Sequence, residues 1–202
     1  MRKKIAIKTL SILVWILISS TFSFAQTNSN DIQEVMKQLA RTHDALKSET
    51  ENLVSAQWNF KESPERWSIA EVVEHLGNWE LLWARELAMI SLNKPNPELR
   101  LTCKPDSYYH EFIMEEKMHN ASNISKPNGF IKEKDTILWF TKLRNDNIRS
   151  AEGLKVNLRD QFEMTALENP RNMYNVYIYM WGHVDRHIKQ IQKVKTHINF
   201  PK

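Results

Sequence analysis

The chain has one cysteine and four glycines in 202 residues. A single thiol closes no internal disulfide, so stability must come from a packed core rather than from covalent staples. Cys103 lies in the polar stretch Leu-Thr-Cys-Lys-Pro with no histidine beside it and reads as an incidental, half-exposed thiol, not a nucleophile. With glycine this scarce there is no phosphate-cradling loop, and neither β-alternation nor an internal repeat stands out. No basic stripe is interleaved with aromatics, which removes nucleic acid from the expected partners. What is present is 42% hydrophobic and 26% charged residues, in long stretches rich in Leu, Glu, Lys, Ile and Gln. That composition points to one all-α domain large enough to bury a sizeable core.

Also absent is a hydrophobic run that spans a bilayer comfortably, which takes about 20 residues. The one apolar stretch, centred on Ile12 to Ile18, is short and preceded by Arg2, Lys3, Lys4 and Lys8. Ser23 and Ala25 follow it and frame a small-residue cleavage site before Gln26. Basic start, apolar centre and small-residue end together read as a secretory signal peptide over residues 1–25. The expected product is exported, periplasmic or secreted, with cleavage near Ala25/Gln26 and no stable membrane insertion afterwards. Residues 26–30 then form a short polar leader and residues 31–202 a single domain. The formal charge of +4 and the pI of 9.1 belong largely to the leader. Its four cations carry the whole excess, so the remaining chain is near neutral and its charge argues for no polyanionic partner.

Four amphipathic helices are expected. The first is capped by Asn30 or Asp31 and buries Ile32, Val35, Met36, Leu39 and Leu46, with His43 on the same stripe. Ser68 and Glu71 form a capping box that opens the second, with Trp67 positioned as a hydrophobic staple on Val72. Its buried arc runs Ile69, Val72, Val73, Leu76, Trp79, Leu82, Trp83, Leu87 and Ile90, and Lys94-Pro-Asn-Pro ends it. Residues 95–132 are irregular, with a short helix over Tyr108–Met118. A third helix, Glu133–Ser150, buries Ile137, Phe140, Leu143 and Ile148, the least clean stripe of the four. The fourth, Arg171–Lys195, turns Met173, Val176, Tyr177, Met180, Val184, Ile191 and Val194 inward. Such a pattern reads as a four-helix bundle.

Chemistry concentrates in the histidines. His183 and His187 lie one turn apart on the fourth helix, with Cβ atoms about 5–6 Å from each other. Two imidazoles so spaced can each turn a nitrogen toward one divalent ion. His75 falls between Val72 and Trp79 on the inner arc of the second helix and is the expected third ligand. Three neutral imidazoles leave the ion's charge uncompensated, so such a centre is Lewis-acidic and takes hydroxide, thiolate or carboxylate as a further ligand. Tyr179, one turn before His183, is the candidate acid. Gln190 and Glu71 are candidates to orient ring N–H groups, although Glu71 also serves the capping box. His43 reads as a core histidine, and His110, His119 and His197 as surface residues.

Trp67-Ser68-Ile69-Ala70-Glu71-Val72-Val73-Glu74-His75-Leu76 and the later His183-Val184-Asp185-Arg186-His187-Ile188-Lys189-Gln190-Ile191 together resemble the DinB-like superfamily, which includes bacillithiol-transferase-like proteins. The resemblance covers about residues 31–195. It implies a four-helix bundle with a long connection between the second and third helices. It also implies a divalent-metal site on His75, His183 and His187, with nickel or zinc first and iron or manganese next. Two functions follow as expectations. One is an exported metal-dependent hydrolase or thiol-dependent transferase acting on a small molecule; export away from the cytoplasmic thiol pool tilts this toward hydrolysis. The other is a non-catalytic bundle, structural or stress-related, in which the ion serves the fold. A homodimer is the expected assembly if the protein self-associates.

Overall fold

The computed structural model describes residues 28–115, 121–163 and 169–202. The proposed signal segment and His119 lie outside these residues. Helix α1 covers residues 28–50, followed by a single turn, α2 (Ser55–Trp58). Helix α3 (Ile69–Ser91) starts at Ser68, whose Oγ accepts from the Glu71 amide at 3.2 Å while the Glu71 carboxylate accepts from the Ser68 amide at 2.7 Å. A 3-10 helix (Pro97–Thr102) and α4 (Asp106–Met114) occupy the long connection to α5 (Lys134–Glu152). The last helix described, α6 (Met173–Lys195), opens with a reciprocal cap between Asn172 and Asn175. Both caps satisfy backbone N–H groups that would otherwise be orphaned at a buried helix end.

α1, α3, α5 and α6 form an all-α four-helix bundle. Helix α3 is central, packing on both α5 and α6, and α4 lies across α6. The core divides into two regions. Val35, Leu39, Trp83, Leu87, Met173, Val176 and Met180 fill one. Leu46, Ile69, Val72, Val73, Leu76, Phe140, Val184 and Ile191 fill the other. Two glycines let helices approach closely. A Cβ on Gly77 would stand 2.2 Å from Cζ3 of Trp139 on α5, and one on Gly182 would stand 2.4 Å from Cγ2 of Ile113 on α4. Among the described residues no helix is long and apolar enough to cross a membrane, and the β-structure is limited to an isolated bridge, Phe162 to Asn172.

Three expectations need correction. α1 is already helical at residue 28, so neither Asn30 nor Asp31 caps it; Asp31 is buried instead as the partner of Arg159, at 2.8 Å. The short helix in the connection is Asp106–Met114, earlier than expected. The buried line of α5 is Thr136, Phe140, Arg144, Asn147 and Ala151, rotated from the apolar stripe because polar groups occupy its centre. Arg144 and Glu80 are both fully buried and pair at 2.7 Å. The Asn147 amide donates to the other Glu80 oxygen at 2.8 Å, and Arg144 also donates to Thr42 Oγ1 at 3.1 Å. Burying a charge is tolerable only with such partners.

Candidate metal centre

The inner faces of α3 and α6 meet where His75 faces His183 and His187. One ring nitrogen from each lies within 4.8 Å of the other two. Ring centroids are 5.1 Å apart for His75–His183, 5.0 Å for His75–His187 and 4.5 Å for His183–His187. Nε2 of His187 is 3.0 Å from Nε2 of His183. Two nitrogens bound to one ion at zinc-like bond lengths sit about 2.8–3.4 Å apart for right-angled to tetrahedral arrangements, so this pair already has chelating separation. The three rings retain 4%, 7% and 8% exposure.

Hydrogen bonding fixes which nitrogens face the centre. Nδ1–H of His75 donates to the Ser125 carbonyl at 2.7 Å, an oxygen that can only accept, so the Nε2 lone pair is left free. Nδ1–H of His187 donates to Oε1 of Gln190 at 2.8 Å, so its Nε2 is an acceptor facing inward, and it takes the Nε2–H of His183 at 3.0 Å. Nδ1 of His183 is buried and meets no hydrogen-bond partner among the described residues. A backbone carbonyl is a usual outer partner of a metal-binding histidine, and the Gln190 amide oxygen offers His187 the same kind of acceptor.

Electrostatics keep the rings uncharged. Burial, followed by the positive charge of Arg186, brings His75 down to about 4, against the pull of its Ser125 bond. Burial and then the neighbouring His75 bring His187 down to about 3. His183 is held well below its ordinary value by burial first and by His187 and His75 next. All three are neutral at pH 7, the form in which imidazole binds a metal. Neutral, converging and oriented donors fit a divalent cation.

An aromatic wall that sequence reading did not place surrounds the rings. Trp67 lies 4.8 Å from His75, Trp79 lies 5.8 Å from His183, and Trp83 lies 5.3 Å from His183. The signal was there: His75, Trp79 and Trp83 are spaced by four on α3 and so share one line of that helix. The Ser125 carbonyl had no such signal, because a backbone group carries no residue identity.

The remaining candidates lie elsewhere. Tyr179 packs against Tyr109 at 5.9 Å and Phe112 at 6.0 Å, with the Arg171 guanidinium 5.1 Å above its ring. Burial raises its phenol. Glu71 is held by the α3 cap and by Lys61 at 2.7 Å. His43 bonds Thr141 Oγ1 at 3.1 Å and stacks on Phe140, as a histidine built into the bundle. His110 is exposed, and His197 packs on Phe60 at 5.4 Å. Cys103 is half-buried and its thiol is pushed up by burial and by Asp106, the opposite of an activated nucleophile.

An all-α bundle with three inward histidines on two of its helices defines a class of candidate metalloproteins. The chain belongs to the DinB superfamily, whose family model matches residues 38–191. A solved structure, YfiT from Bacillus subtilis, is similar in fold, with a TM-score of 0.56 at 14% identity over 84% of this chain and 89% of that one. YfiT is described as a probable metal-dependent hydrolase with an unusual four-helix bundle topology. No curated protein sequence gives a significant match.

Proposed function

We propose that this protein is an exported metal-dependent hydrolase that holds one divalent cation on His75, His183 and His187. The observation that carries the reading is the convergence of three buried, neutral imidazoles, two of them held by outer hydrogen bonds with Nε2 inward. The family resemblance puts nickel and zinc first, with iron and manganese behind them, and imidazole donors suit nickel, zinc and iron. A bound divalent ion would supply Lewis acidity, polarising a carbonyl or phosphoryl oxygen and lowering the pKa of water. The residues' own part is to hold the donors aligned and deprotonated, and to exclude water behind them with Trp79 and Trp83. The basic, apolar and small-residue order of residues 1–25 supports export. It also favours water over a cytoplasmic thiol as the second reactant. The low exposure of all three rings favours a second reading, in which the ion serves mainly to tie α3 to α6.

The test is elemental analysis of purified protein beside a His183→Ala/His187→Ala variant, with thermal melting before and after chelation. Stoichiometric nickel or zinc in the wild type, and none in the variant, is the expected result. Equal metal in both would overturn the ligand assignment. A chelator-insensitive melting temperature would remove the structural reading and leave the hydrolase.

A further inference from the structure

A strap from the connection between α3 and α5 lies against His75, and α3 grips it with three side chains. His75 donates to the carbonyl of Ser125, and Asn78 Nδ2 reaches the carbonyls of Ser125 and Lys126 at 3.4 and 3.3 Å. Oε2 of Glu74 accepts from the Gly129 amide at 2.9 Å. Glu74 is only 3% exposed, an expensive place for a carboxylate unless its bond is needed. Gly129 has φ +69, where any other L-residue except asparagine or aspartate is strained. Ser125 is itself fully buried, and the turn that presents its carbonyl is closed by its own amide and that of Lys126, both donating to the Ser122 carbonyl at 3.0 and 3.1 Å.

The geometry points to Glu74 as a positioning residue for the metal centre. It anchors the strap at Gly129, which holds the Ser125 carbonyl against His75 Nδ1 and so keeps Nε2 aimed inward. This inference rests on the three-histidine reading but concerns a residue that touches no ligand position. Partners bonded directly to a ligating histidine are worth about 10–100-fold in metal affinity, and Glu74 acts one contact further out, through the Ser125 carbonyl.

Three variants of the full chain separate reach from charge. Glu74→Gln keeps an oxygen acceptor at the same distance, Glu74→Asp keeps the charge but withdraws it by one methylene, and Glu74→Ala removes both. Zn(II) affinity is measured by competition with a chromophoric chelator, and the His75 tautomer by 15N NMR on metal-free protein. Expected are affinities about 10-fold weaker for the Ala and Asp variants, the lower end of the scale for direct outer-sphere partners, and within about threefold of wild type for Gln. The Nδ1–H tautomer should persist in wild type and Glu74→Gln and become mixed in the other two. An unmoved tautomer and affinity in Glu74→Ala and Glu74→Asp would overturn the inference, as would a Gln variant as impaired as Ala. If the wild type takes up no Zn(II) or Ni(II) but the tautomer pattern holds, the metal reading fails and the anchor stands.

Discussion

Arg144 and Glu80 bury opposite charges behind His183, and removing one should be far worse than removing both. Arg144 has no exposed surface, and its guanidinium donates to Glu80 Oε1 at 2.7 Å and to Thr42 at 3.1 Å. Arg144→Met fills a similar volume but leaves the Glu80 carboxylate, among the described residues, with Asn147 as its side-chain donor. Breaking one side of a buried pair costs about 3–5 kcal/mol, against a total domain stability of roughly 5–15 kcal/mol. At about 2–4 °C per kcal/mol for a chain of this size, the melting temperature should fall by roughly 6–20 °C. Arg144→Met combined with Glu80→Leu removes both charges and should return to within about 2 kcal/mol of wild type or exceed it, since apolar replacement of a buried pair is often neutral. Urea unfolding followed by circular dichroism at 25 °C measures all three proteins, with the midpoint compared at constant slope. A single variant within about 1 kcal/mol of wild type, or a double variant no better than the single, would refute the reasoning.

Metal-stripped protein should lose stability on mild acidification. The three site imidazoles have folded pKa values below the unfolded value, so stability is complete above pH 6.5 and falls as the unfolded chain takes up protons the fold cannot accept. By pH 5 each neutral imidazole costs about 2 kcal/mol, or about 6 kcal/mol for the three. Urea titrations from pH 7.5 to 5 read this, and His187→Gln should remove about a third of the slope; a pH-independent midpoint in the wild type would contradict the neutral-imidazole assignment. Gly77→Ala places a methyl group against the Trp139 ring and should cost about 1–3 kcal/mol by forcing α3 and α5 apart; an unchanged unfolding midpoint would show that the indole can move aside freely.

Legibility followed the kind of group involved. α3 and α6 could be read closely because Ser68 and Glu71 form a recognisable cap and because their inner faces, Val72 to Ile90 and Met173 to Val194, are apolar at helical spacing. The candidate site was legible for the same reason, its three histidines being side chains at fixed intervals on those two helices. α5 was harder because its buried line includes Arg144 and Asn147, whose partners Glu80 and Thr42 are remote in sequence, and Thr136, whose hydroxyl donates to the Glu133 carbonyl of its own first turn. α2 and the 3-10 helix are too short for periodicity to register. What lay beyond reading was main chain: the Ser125 carbonyl and the Gly129 amide act through position alone, set by a connection with no repeating pattern.

The split of the proposed ligand set between α3 and α6 constrains when the protein could mature. A growing polypeptide that has made α3 owns a single imidazole of the trio, too few to compete for a scarce ion. Only after α6 has emerged and docked do the other two arrive together. Metal capture on the proposed trio would therefore be a late event that reports completed assembly, and a chain truncated before α6 would not hold the ion.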